Sequence, residues 1–275
     1  MANVELDELH PGQELQRLLK RLYPFDPMEK RSFVSIIDDA LIAENAFSEL
    51  VYNSCIDYMV RRLITTAQFL EGQYGPSCYP PGRFIVELRK FVRDYTNIPT
   101  DKIELVLTLL LECVKVADRK PGRETKKRIL RNARRKGIRC YICGCELNFD
   151  DPLSPQRPEV EHVWPNSMGG PNSEPNLNVS CWSCNQHKAN YIEASDFHYE
   201  EICLTSSKDD ESFAEDLTGM YRVAIWAKND YKCAECERPA SHLGELAFAR
   251  QEPNDSWHFL NVDAYCDRHT PKHDR

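Results

Sequence analysis

The sequence predicts an α+β protein: an all-α helical bundle at the N-terminus, a cysteine-framed central core, and a small zinc-ribbon-like module at the C-terminus. Three observations predict it. Residues 1 to about 118 place apolar side chains at helical spacing and contain no site-like grouping of His, Cys and carboxylates. Eight of the twelve cysteines fall in Cys-x-x-Cys, Cys-x-Cys or Cys-x-x-His spacings, all of them after residue 139. Between these regions lies a short, strongly basic run.

Composition narrows the function classes. An apolar content of 41% over 275 residues suits folded domains rather than a disordered chain. The opening MANVELDELHPGQEL lacks a basic n-region followed by an apolar h-region, so no signal peptide is expected and the protein is expected in the cytoplasm. The longest apolar run, IELVLTLLLECVKV, falls short of the roughly 18 residues of a membrane span and carries charges, so no membrane partner is expected. In such a chain paired cysteines read as metal ligands rather than disulfides, and the isolated Cys55, Cys78, Cys113 and Cys203 as buried small hydrophobes. The net charge of −8 argues at first against a polyanionic partner. Its distribution argues otherwise: Arg119 to Arg139 holds eleven Lys/Arg against one acid, a local +10, which leaves −18 on the rest.

The N-terminal region, 1–118, is expected to be a docking or adaptor bundle. Leu15, Leu18, Leu19 and Leu22 form one stripe, and Pro24 and Pro27 break the chain. A periodic stretch then runs from Met28 to Leu70, with Phe33, Ile36, Ile37, Ala40 and Leu41 on one face and a break expected near Asn45. Gly72–Gly82 reads as a loop, and Arg83–Tyr95 and Asp101–Asp118 as two more helices, the last opened by a capping box between Asp101 and Glu104. The helix ending in Leu22-Tyr23-Pro24 and the segment GRFIVELRKFVRDYTNIP resemble the death-like effector-associated helical domains of prokaryotic conflict systems. That resemblance implies pairing with a matching domain on a regulatory NTPase or protease.

Residues 119–138 are expected to form a basic connector helix from about Glu124 to Lys136, with only Ile129, Leu130 and Ala133 to pack. The bland reading is a solvated linker. The run abuts the central core, which favours phosphate contact by Lys126, Lys127, Arg128, Arg131, Arg134 and Arg135.

Residues 139–195 carry the chemistry. Cys140/Cys143 and Cys181/Cys184, two Cys-x-x-Cys pairs about 40 residues apart, suit one structural zinc ion, with Gly144 at the knuckle turn and Cys145 a free thiol beside it. A zinc frame alone implies no catalysis. Inside it, however, Glu161-His162 is followed by Asn176 and by Asn185, directly after the last cysteine. This constellation resembles the HNH endonucleases, whose ββα-metal core cuts phosphodiester bonds. Carried over residue by residue, the resemblance makes His162 the general base, Asn176 its orienting residue, and Glu161 and Asn185 the ligands of Mg²⁺ or another divalent ion. Glu161 stands where the family more often has Asp, and His187 is a rival to Asn185. Lys188 matches a basic residue of the family's final helix and is expected on phosphate. The residue types suit this chemistry. An imidazole, with an ordinary pKa of about 6.5, can take a proton from water near neutral pH, and a hard cation takes oxygen ligands.

The C-terminal region, 196–275, pairs Cys233/Cys236 with Cys266/His269, the ligand set of a second structural zinc. Glu245–Arg250 and Trp257–Val262 read as a hairpin around Pro253–Ser256. No carboxylate–histidine pair flanks these ligands, so a staple is expected rather than a catalyst; His242, His258 and His273 look incidental. The function expected is DNA cleavage by an HNH nuclease gated or recruited through its helical region, as in anti-phage defence. The alternative is a zinc-dependent nucleic-acid-binding or adaptor protein with weak catalysis.

Overall fold

The computed structural model describes residues 10–25, 46–75, 82–117, 120–197 and 217–274. The apolar face expected at Phe33–Leu41, the acidic SSKDDE stretch, Cys78 and Cys203 lie outside the described residues. The described residues hold eight α-helices and two two-stranded antiparallel sheets. No helix among them is long and apolar enough to cross a membrane.

Helix α1 (Pro11–Leu22) starts with proline at its first position, where a missing N–H costs nothing, and Gln13 reaches back to the His10 amide at 3.3 Å. Helix α2 (Ala46–Tyr74) buries Ile56, Val60, Leu63, Ile64 and Ala67 on one stripe. It continues three residues into the loop expected from Gly72. Helix α3 (Arg83–Tyr95) turns in on Gly82, whose φ of +84° favours glycine, and buries Leu88 and Val92. A 3₁₀ turn (Thr100–Lys102) leads into α4 (Ile103–Ala117). The expected capping box does not form: Glu104 instead accepts two hydrogen bonds from Arg89, at 2.8 and 3.0 Å, tying α4 to α3. Of the isolated cysteines, Cys113 is buried as expected, whereas Cys55 is exposed, because it lies off the buried stripe of α2.

Helix α5 (Arg123–Lys136) is the basic connector. It stops at Gly137 (φ +61°), after which the Ile138 amide returns to the Ala133 carbonyl at 3.0 Å. Strands β1 (Pro158–His162) and β2 (Leu177–Cys181) pair antiparallel, Glu161 opposite Asn178 and His162 opposite Leu177. Helix α6 (Trp182–Lys188) follows β2 without a gap, giving the order strand, strand, helix. Beyond it come α7 (Gly219–Lys228), α8 (Ala240–Leu243), β3 (Ala247–Arg250) and β4 (Val262–Tyr265). The hairpin's second strand begins where Trp257–Val262 was expected to end. Trp257 and Phe259 are spent on the core, and Asn261 closes the 252–256 turn through the Glu252 amide and the Glu252 and Ser256 carbonyls.

Two apolar cores organise the described residues. The first joins α1–α4 to Trp164, Met168 and Ile192 of the central region. The second joins Cys140–Cys145, Cys181 and Cys184 to Phe197, α7 and the C-terminal hairpin. The strand–strand–helix unit is thus wedged between the bundle and the C-terminal module, and it contributes side chains to both.

Candidate active site

The knuckle Cys140–Cys145 forms because Gly144, at φ +78°, folds the chain back so that the Cys140 amide meets the Cys145 carbonyl at 3.0 Å. A Cβ on Gly144 would sit 1.9 Å from the Gly244 carbonyl, so only glycine lets the C-terminal module approach this closely. The turn brings Cys145 into the cluster. The four thiols within 4.8 Å of one another are those of Cys140, Cys143, Cys145 and Cys181. This corrects the expectation that Cys145 stands aside. Cys184 lies at the edge of the same cluster, one turn into α6, with its amide donating to the Cys181 Sγ at 3.4 Å. Five thiols therefore converge where a tetrahedral ion takes four, and a soft, all-sulfur set suits zinc.

Successive side chains on a strand point to opposite faces, so β1 sends Glu161 and His162 in different directions. Glu161 points towards α6 and is buried. Its Oε1 accepts from Lys188 Nζ at 2.7 Å, and its Oε2 accepts from the Tyr141 hydroxyl. Lys188 is 1% exposed and also donates to the His162 carbonyl at 3.0 Å. Lys188 is therefore not a surface phosphate contact. It is the buried counter-charge of Glu161, because the short α6 aims its last turn at β1. Burial, and then the Glu161 charge, hold the Tyr141 hydroxyl well above its ordinary pKa, so it stays a donor. Tyr231 of the C-terminal module packs edge-on against Tyr141, with ring centroids 5.1 Å apart.

His162 lies half-buried on the opposite face, with Nε2 2.8 Å from Asn172 Oδ1. An amide oxygen only accepts, so Nε2 is the donor in this contact. Asn176 does not touch the ring. Its Oδ1 accepts from the Trp164 amide at 2.8 Å, and its Nδ2 donates to the Trp164 and Pro171 carbonyls at 2.9 and 3.0 Å. The orienting contact expected from Asn176 is thus divided: Asn172 meets the imidazole, while buried Asn176 pins the loop that follows it. Asn172 was missed because it belongs to no motif; only the folding of the Pro171–Ser173 segment over β1 brings it to the ring.

Asn185 and Lys188 are three residues apart on α6 and so share a helix face, the face that reaches Glu161. The other claimant, His187, turns away: a Cβ on Gly219 would lie 2.2 Å from its Nε2, which places the ring against α7. A carboxylate and an amide are oxygen donors of the kind a hard divalent cation takes, and the ammonium standing on Glu161 shows that the position accepts positive charge. Each Glu161 oxygen retains a lone pair beyond its present hydrogen bond.

Helix α5 packs along the β1–β2 hairpin. A groove of about 540 Å³ runs between Arg128, Arg131 and Arg135 on one side and Leu177, Asn178 and Val179 on the other. Leu177 is the cross-strand partner of His162, so this basic groove ends one strand away from His162. Some of its charge is internally matched: Arg128 pairs with Glu174, Arg134 with Asp150 at 2.6 Å, and Lys127 with Glu124 at 3.0 Å. Lys126 and Arg131 are exposed.

The second cluster brings Cys233, Cys236, Cys266 and His269 together, with their ligand atoms within 4.8 Å of one another. His269 presents Nδ1, 3.3 Å from the Cys266 Sγ. His258 pairs with Asp255 at 3.0 Å and His273 meets the Arg250 carbonyl at 3.1 Å, so both serve the hairpin.

No curated protein and no solved structure matches the chain. Residues 140–197, the segment that holds the five-thiol knuckle, both strands and α6, match the family of HNH endonucleases.

Proposed function

We propose that this protein is a metal-dependent endonuclease that hydrolyses phosphodiester bonds of DNA, with His162 as the general base. The single observation that carries the reading is the His162 ring, held through Nε2 by Asn172, inside the segment that matches the HNH family. Nδ1 takes the proton of the attacking water as its oxygen adds to phosphorus, while the P–O bond to the leaving sugar oxygen breaks and that oxygen takes up a proton from solvent. Asn172 holds the ring's tautomer, and Asn176 fixes the loop on which Asn172 approaches. Glu161 and Asn185 are the proposed ligands of a Mg²⁺-like ion, which supplies charge stabilisation at the scissile phosphate and leaving oxygen. The groove beneath α5 holds the strand by its phosphates, independent of base sequence.

Recruitment or gating through the helical bundle, as in a defence effector that answers to a regulatory NTPase or protease, belongs to the same proposal. Val86, Tyr95 and Phe69, all at least 60% exposed, give the bundle apolar side chains to offer a partner.

The test is a plasmid-cleavage assay with full-length protein in Mg²⁺, Mn²⁺ or Ni²⁺. Cleavage is expected, and His162→Ala is expected to lower it by about 10²- to 10⁴-fold while zinc content and melting temperature stay unchanged. Cleavage retained by His162→Ala would overturn the assignment. Binding without turnover in all three ions would instead make the chain a zinc-dependent nucleic-acid-binding protein.

A further inference from the structure

The site is built from two pieces that must keep a fixed separation: β1, which carries Glu161 and His162, and α6, which carries Asn185 and Lys188. Each is followed at once by a segment seated on the N-terminal bundle. After β1, Trp164 and Met168 are buried in the bundle's own core. Gln68 of α2 donates to the Ser167 carbonyl at 2.7 Å, and Asn166 donates to the Val116 carbonyl at the end of α4 at 3.1 Å. Gly12 of α1 lies so close beneath this loop that a Cβ there would sit 1.9 Å from the Met168 carbonyl and 2.5 Å from the Trp164 indole nitrogen. Gly169, at φ +86°, approaches the same junction: a Cβ there would sit 2.6 Å from the Cys113 thiol and 2.8 Å from the Gly12 amide nitrogen. Two backbones approach this closely only where both residues are glycine.

After α6, the turn at Ala194–Asp196 docks on α2. Arg61 forms a fork with the Asp196 carboxylate and donates to the Asn190 carbonyl at 2.5 Å. Asp57, wholly buried, accepts from the Ser195 hydroxyl at 2.6 Å and from Gln16 of α1 at 2.7 Å. One rigid helix, α2, therefore grips the chain just beyond the base and again just beyond the ion-ligand helix.

We propose that the N-terminal bundle is a positioning element of the active site: α2, clamped by α1 and α4, sets the His162 loop and the end of α6 relative to each other. Gly12, Gln68 and Arg61 are its positioning residues. The proposal rests on the reading of His162 as the base. It differs from a detachable docking module in one consequence: anything that shifts α2 reaches the imidazole and the ion ligands together, because packed elements move as units.

The experiment uses the full-length chain. Gln68→Ala and Arg61→Ala remove one contact on each side, Gly12→Ala wedges the loop away, and Arg89→Ala, which breaks only the outer α3–α4 pair, serves as control. Amide hydrogen exchange is followed across Val163–Gly170 and Ile192–Phe197, alongside kcat, DNA affinity and zinc content. Gln68→Ala and Arg61→Ala are each expected to speed exchange in their own segment. Combined, they are expected to lower kcat by about 10- to 100-fold, as a displacement on the order of 1 Å does. DNA affinity and zinc content should match wild type, because the α5 groove and the thiols are untouched. Gly12→Ala is expected to act more strongly on the first segment; if it fails to fold, the other two variants still decide. Unchanged exchange, or faster exchange with unchanged kcat, would overturn the proposal. A wild-type chain inert towards every nucleic acid would sink the nuclease reading alone, and the exchange measurements would still show whether the bundle holds the loop.

Discussion

The two cysteine clusters make an instructive pair, because each sits beside a buried lysine–carboxylate couple. Near the first, Lys188 meets Glu161 at 2.7 Å; in the second module, Lys228 meets Asp263 at 2.8 Å. The difference lies in what else the lysine holds. Lys228 spends its remaining donors on the Phe259 and Val262 carbonyls, at 2.8 Å each, and so closes the hairpin loop. Lys188 holds the carbonyl of His162, a residue whose own ring meets Asn172 on the other face of the strand. In the function proposed above, the same type of cysteine cluster is a staple in one place and a frame for reactive groups in the other. Cysteine spacing reports the frame; the residues on the strand between the cysteines report the chemistry.

The comparison breaks most sharply on the two ligand-like histidines. His162→Ala should cost about 10²- to 10⁴-fold in cleavage with full zinc content, the usual contribution of a general base. His269→Ala should release one zinc and lower the melting temperature, yet keep cleavage within about tenfold at temperatures where the chain is folded. Zinc analysis beside a single-turnover assay separates them, and equal losses of cleavage would erase the distinction between staple and frame.

Next in size is Lys188→Met. It strands a buried carboxylate, an effect on the order of 3–5 kcal/mol, and should show in denaturant unfolding. Adding Glu161→Gln should recover much of that stability but no cleavage. Recovery of cleavage in the double variant would remove Glu161 from the site.

The thiols sharpen the contrast further. Five converge in the first cluster and three plus one imidazole in the second. Cys184→Ser or Cys145→Ser alone should leave the first zinc bound, while the pair together should release it. In the second cluster Cys266→Ser alone should suffice. Loss of the first zinc from Cys145→Ser alone would mark Cys145 as an obligatory ligand.

The smallest expected effect is a pH dependence at the bundle contact. Burial first, and then the charge of Glu193, push Asp57 up to about 7, whereas the unfolded chain ionises near 3.8. The folded state therefore keeps a proton that the unfolded state loses. This contribution is fully present below the unfolded pKa and fades as pH rises through 7. The melting temperature should fall from pH 5 to pH 8, and Asp57→Asn should flatten that part of the slope.

Much of the molecule is legible from residues alone. Helices α1, α3 and α5 follow the apolar period and the Pro and Gly punctuation to within two residues. The second cluster's ligands follow from spacing, because a Cys-x-x-Cys turn aims both thiols at one point regardless of context. Other features depend on contacts between distant segments. Cys145 joins the thiols because Gly144 folds back, and Asn172 reaches His162 because a loop closes over β1. Lys188 is buried because α6 packs on β1, and Glu104 answers Arg89 rather than its own helix end. The seat of Trp164 and Met168 in the helical core carries no local signal, since an apolar residue in a loop reads the same whatever it will meet. Residue order alone shows which reactive side chains are present and along which short elements they lie. Which side chains meet is settled by packing, because those contacts join segments up to 141 residues apart.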